Sequence, residues 1–130
     1  MSERNGSERL ARRLAELVDA KQAEEIVALD MRSLVSYTDF LVLCTARNER
    51  QAEAIVEEAK LRMKREDDLL GRVEGEGAAG WVVLDYLDCV LHVLTGEARE
   101  RYGLEELWHE APRLDLGLET PPRTPRVAQA

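Results

Sequence analysis

The chain has 130 residues, 45% hydrophobic and 34% charged, with 26 acidic side chains against 18 basic ones and a formal net charge of −8. That length suits one domain able to bury a core without disulfide or metal staples, and no apolar run approaches the ~20 residues needed to span a bilayer. The acid excess, with no Lys/Arg stripe interleaved with aromatics, argues against direct affinity for a nucleic acid and favours a basic protein partner.

The first residues, Met1 to Asn5, lead into no apolar secretory run, so a cytoplasmic location is expected. Leu10, Leu14, Leu17 and Val18 repeat at helical spacing and predict a helix over residues 7–21, with Ser7 as its cap. Residues 25–31 (EIVALDM) and 39–45 (DFLVLCT) read as strands. The short polar connection between them predicts antiparallel neighbours.

The clearest helix follows, because Ala52, Ile55, Val56, Ala59 and Met63 share one face and Asn48 with Gln51 forms a capping-box-like start. Residues 69–74 suggest a short edge strand. The run 74–80 (EGEGAAG) reads as a flexible loop; lacking a Lys and carrying two acids, it fails as a phosphate cradle.

Residues 81–95 hold two nearly continuous apolar runs around a polar centre, Asp85 to Asp88. They predict a pair of strands buried on both faces, joined by a hairpin whose tip presents two carboxylates and a phenol. A helix from Glu97 is expected to end at a left-handed Gly103, with Leu104, Leu107 and Trp108 packing back onto the sheet. All four prolines (Pro112, Pro121, Pro122 and Pro125) lie beyond residue 111. The expectation is therefore one α/β domain over residues 1–108 and a mobile tail over 109–130, outside the core. The fold class is a mixed sheet of four to five strands flanked by helices.

Cys44 and Cys89 sit inside apolar runs and read as buried thiols rather than a bridge or metal site. On a strand, Cys89 and His92 point to opposite faces, so they cannot share a metal. His92 is read as a satisfied core histidine.

Several segments together resemble one known family. They are Tyr37-Thr38-Asp39-Phe40-Leu41-Val42, Asn48-Glu49-Arg50-Gln51 opening a helix, and Trp81-Val82-Val83-Leu84-Asp85-Tyr86 with Asp88 and His92. Arg99, Tyr102, Leu104-Glu105 and Leu107-Trp108 complete the set. Their order and spacing over residues 8–108 are similar to those of the ribosomal silencing factors, also called Iojap-related proteins. Two departures stand out: Leu87 occupies the position of a family glycine at the hairpin, and Thr45-Ala46-Arg47-Asn48-Glu49 replaces a Thr-Gly-x-Ser segment.

The resemblance implies a nucleotidyltransferase-like topology without transferase activity. It also implies binding to ribosomal protein fourteen of the large ribosomal subunit, a block on subunit joining, lowered translation, and a possible homodimer. No cofactor and no membrane are implied.

The candidate partner-binding residues are Asp85, Tyr86 and Asp88 at the tip, with Trp81 on the preceding strand and Glu97 beyond the second. Each has a structural alternative: Asp85 and Asp88 as turn residues bonding their own backbone, and Tyr86 and Trp81 as core. Arg99 and Tyr102 read as braces for the last helix, and Thr38 and Asp39 as a strand-entry pair. A nucleotidyltransferase would need two carboxylates at i and i+2 on one strand face to hold divalent metals. The closest pair here, Asp85 and Asp88, is three apart across a turn, so an enzyme is disfavoured. A homodimerising adaptor for another complex is the remaining alternative.

Overall fold

The computed structural model describes residues 3–118. In chain order the elements are α1 (Glu3–Ala20), β1 (Glu24–Asp30), β2 (Phe40–Ala46), α2 (Glu49–Asp67), β3 (Arg72–Glu76) and a single 3-10 turn at Gly77–Ala79. Then come β4 (Trp81–Asp85), β5 (Cys89–Thr95), α3 (Gly96–Tyr102) and α4 (Leu104–Leu107). The five strands form one mixed sheet in the order β1-β2-β5-β4-β3, with β2 and β5 parallel and every other pairing antiparallel. This is the α/β class expected from the sequence, with the upper strand count.

β2 (FLVLCTA) has neighbours on both sides and is buried along its whole length. Its alternate residues feed two cores. Phe40, Val42, Cys44 and Ala46 point toward α1 and α2, where Leu14, Leu17, Val18, Ile55, Val56 and Met63 meet them. Leu41 and Leu43 point the other way, toward Leu94, Ala98 and the partly buried Leu104 and Trp108. The two helix-rich layers differ in reach: α1 and α2 run 18 and 19 residues, α3 and α4 only 7 and 4.

The start of α2 is set locally. Asn48 is extended (φ −158°), and its Oδ1 accepts the Gln51 amide at 2.8 Å. The Gln51 carboxamide oxygen accepts the Arg47 amide at 2.6 Å, one residue before the cap where a reciprocal capping box would close. Thr95 caps α3 through the Ala98 amide, and left-handed Gly103 (φ 55°) ends it, as its sequence position predicted.

Four expectations need correction. Ser7 does not cap α1: the helix is already formed at Glu3, and Ser7 lies inside it, 2% exposed. The glycine-containing run is not simply a loop, because β3 extends to Glu76 by pairing along β4 and the turn at Gly77–Ala79 closes the gap. The β4–β5 pair is not buried on both faces; burial alternates along β4, and only one of its faces is sealed.

The chain also does not leave the core after residue 108. Ala111 is buried, Leu114 and Leu116 pack on the main core, and Arg113 bridges to Leu29. Backbone bonds from Asp30 to Pro112 (2.8 Å) and from Leu114 to Ala28 (2.8 Å) fasten this segment along the outer edge of β1. Unpaired edge amides and carbonyls are costly to bury, and residues 112–114 satisfy some of them. The expected mobile segment from residue 119 onward lies outside the described residues.

Candidate docking face

β4 and β5 build the site by simple alternation. Val82, Leu84, Cys89, Leu91 and Val93 face α1 and α2. Trp81, Val83 and Asp85 on β4, with Val90, His92 and Leu94 on β5, take the other face. Short helices can cover only part of that face; a 7-residue helix is roughly 10 Å long. α3 lies on β5 and β2, and Trp81, Val83 and Val90 are left half-buried. Tyr102 (43% exposed), whose ring meets Trp81, extends apolar surface at that end; Leu107, expected to pack back onto the sheet, is 63% exposed.

Trp81 is held on three sides. Its root follows Gly80 (φ 78°), where an added β-carbon would stand 2.9 Å from the Thr95 Oγ1 and 3.3 Å from the Ala98 β-carbon. Its indole N–H donates to Nδ1 of His92 at 3.0 Å. Its ring lies against Tyr102, centroids 4.5 Å apart and planes tilted by 44°, within the range of favourable aromatic pairs. Burial lowers the His92 pKa to about 4, with the nearby Asp85 charge opposing weakly, so the imidazole is neutral at pH 7.

The five predicted residues do not converge. Trp81 pairs with Leu94 at one end of the β4–β5 ladder, and Asp85 pairs with Val90 at the other, about 14 Å away at ~3.4 Å per residue. Glu97 belongs to the Trp81 end, exposed in the first turn of α3 and paired with Arg101 at 3.5 Å. Asp85 shares the open face but spends one carboxylate oxygen on the Leu87 amide at 2.7 Å, the turn role its alternative predicted. Asp88 is exposed, and its carbonyl accepts the amides of Asp39 (2.9 Å) and Phe40 (3.2 Å).

Tyr86 departs from expectation. It does not jut from the tip; its ring turns to the helix-covered face and packs against the main core and Gly71. Its hydroxyl is buried without a hydrogen-bond partner, and burial, with Asp67 nearby, pushes its pKa up to about 12. Leu87 takes a glycine-like conformation, φ 71°, with its side chain exposed.

Arg99 is the brace the sequence suggested. Its guanidinium bonds Glu105 (2.9 Å), the Thr45 hydroxyl (2.8 Å) and the Glu25 carbonyl (2.8 Å), tying α3 and α4 to β1 and β2. Glu25 is left-handed (φ 52°), at the register break in β1.

Among the described residues, no group of three or more His, Cys, Asp or Glu side chains is placed to hold a metal ion. Burial pushes the Cys44 thiol up to about 12 and the Cys89 thiol higher still, so neither is a thiolate nucleophile at neutral pH. No helix among the described residues is long and apolar enough to cross a membrane. What sequence reasoning missed is Val83 and Val90, read as core, and Tyr102, read as a brace, at the edge of the face. A usable signal was present: both parities of residues 81–95 are apolar, yet the helices that follow are too short to cover a second face.

Comparison with known proteins agrees with the motif order. The family described as "Ribosomal silencing factor during starvation" matches residues 4–130. A ribosomal silencing factor of Halalkalibacterium halodurans is 38% identical over 99 residues, 76% of this chain and 85% of that protein. One from Bacillus subtilis is 37% identical over 98 residues, 75% of this chain and 83% of that protein. A Mus musculus protein named mitochondrial assembly of ribosomal large subunit protein 1 is 29% identical over 98 residues, 73% of this chain and 43% of that protein. A crystal structure of a Bacillus halodurans protein superposes with a TM-score of 0.71 at 35% identity, covering 83% of this chain and 98% of that one. This chain therefore belongs to the ribosomal silencing factor family.

Proposed function

We propose that this chain represses translation in the cytoplasm by docking on ribosomal protein fourteen of the large subunit, where its bulk prevents the subunits from joining. The observation that carries this is the half-open sheet face, in which Trp81, Val83 and Val90 present apolar surface beside Asp85 and next to exposed Tyr102. Contiguous apolar surface rimmed by polar groups marks an interaction site. The net charge of −8 suits a basic partner, steering encounter without phosphate contact. Family membership supports the ribosome as target, and the mouse relative's name points to the large subunit.

In this reading Trp81 is the aromatic anchor, with Asp85, Asp88 and Glu97 as acidic rim. Tyr86 is left out, because its ring serves the core. A standard interface of ~800 Å² per partner is sufficient, and no turnover is involved. A homodimer formed through the same face would compete with ribosome binding.

Sedimentation tests the proposal. Purified ribosomal subunits mixed with the protein should yield fewer joined particles, with the protein travelling on the large subunit. The variant Val83→Asp, which places a charge in the middle of the face, should stay at the top of the gradient. Undiminished joining with the parent protein, or normal co-migration of Val83→Asp, overturns the proposal.

A further inference from the structure

We propose that His92 is a positioning residue for docking: by accepting the Trp81 indole N–H at Nδ1 it fixes the ring against Tyr102, so that the partner meets carbon rather than a hydrogen-bond donor. The role rests on the docking proposed above and adds to it the chemistry of what Trp81 contacts.

The geometry makes the bond specific. Val83 pairs with His92 across the β4–β5 ladder, so Trp81 is the diagonal neighbour of His92 on the same face, a separation that long side chains can span. The ring centroids stand 5.9 Å apart at 42°, which is not stacking; the contact is the 3.0 Å hydrogen bond. For Nδ1 to accept, a neutral imidazole must carry its proton on Nε2. Burial, which disfavours the charged ring, keeps it in that form at neutral pH.

Two consequences follow for recognition. An indole free to turn would expose its N–H to water and lose rotamer freedom on binding; here that ordering is completed before the partner arrives. With the donor already engaged, the group that meets Trp81 in the partner is an aliphatic or aromatic side chain, not a carbonyl oxygen.

The test uses the full chain with His92→Leu, which cannot accept, and His92→Gln, which can. Each is made also in a Trp81→Phe background, where no N–H exists. The readouts are affinity for purified large subunits, the two indole N–H resonances of the free protein with Trp108→Phe for assignment, and the melting temperature. His92→Leu should shift the Trp81 indole resonance and weaken binding about tenfold. His92→Gln should recover most of that loss. In the Trp81→Phe background, His92→Leu should change affinity less than twofold.

Equal losses in both backgrounds would show that His92 acts by some other route, and unaltered binding by His92→Leu with a shifted resonance would show that the bond is not used for docking. Should the parent chain itself fail to bind large subunits, the docking reading fails and the role goes with it. A parent that binds while His92→Leu binds equally well removes only the role.

Discussion

Tyr86 packs against Gly71 so closely that a β-carbon on Gly71 would stand 2.6 Å from the ring's Cζ and 2.8 Å from the Leu84 Cδ1. Gly71→Ala should therefore cost about 1–3 kcal/mol, since the half-buried ring and the buried leucine must both shift to admit it. Tyr86→Ala should cost roughly 2 kcal/mol of stability. Tyr86→Phe, which removes a buried hydroxyl with no partner, should leave stability unchanged or raise it by up to ~1 kcal/mol. Denaturant unfolding of the three variants checks the set; a destabilised Tyr86→Phe would mean the hydroxyl is satisfied after all.

Leu87 is held at φ 71° while its side chain contributes little packing, being 73% exposed. A left-handed residue with a β-carbon carries about 1–2 kcal/mol of strain, offset in part by the greater unfolded-state freedom of glycine. Leu87→Gly should stabilise the hairpin by roughly 0.5–1 kcal/mol. A lower melting temperature for Leu87→Gly contradicts this.

Arg99 joins three elements from a position where its side chain is only 10% exposed. Arg99→Ala removes the main partner of Glu105 and the guanidinium donor to the Glu25 carbonyl and the Thr45 hydroxyl, an expected cost of about 2–4 kcal/mol. Arg99→Lys should restore only part of this, because a point ammonium cannot reproduce the planar fork that reaches three acceptors. Full rescue by lysine would show that charge alone matters here.

Acid should destabilise the fold in two separate windows. The folded-state pKa of His92 is about 4, below its ordinary value near 6.5, so between those values the unfolded chain takes up a proton that the folded chain refuses. Stability should fall as pH drops through this range, by up to about 3 kcal/mol. For Glu105, burial raises the pKa, but the Arg99 hydrogen bond and charge, with help from Arg113, bring it below its usual value. Its contribution is present above the ordinary carboxylate range and disappears only as pH falls further. His92→Gln should flatten the stability profile above pH 4.5 and leave the lower limb in place. A profile with the same slope after that substitution assigns the upper window to another group.

Legibility from sequence follows the range over which each signal acts. The entry into α2 was readable because cap, capping partner and five apolar positions all lie within sixteen residues. The end of α3 was readable for the same reason, since one glycine fixes it. The inward turn of Tyr86 was not, because the space it occupies is created by Gly71, fifteen residues earlier and on a different strand connection. The Trp81–His92 bond depends on strand register, which alternation alone does not specify. The β1 edge was misjudged because prolines argue locally against strand structure, while the pairing of residues 112–114 needs only one bridge and a few backbone bonds.

Residues 112–114 along β1 have an effect on assembly. With the end of that border at residues 28–30 occupied, β3 is left as the less covered edge strand among the described residues. Two copies joined along β3 would use up that margin, and the strap over β1 shortens what is left for further strand addition.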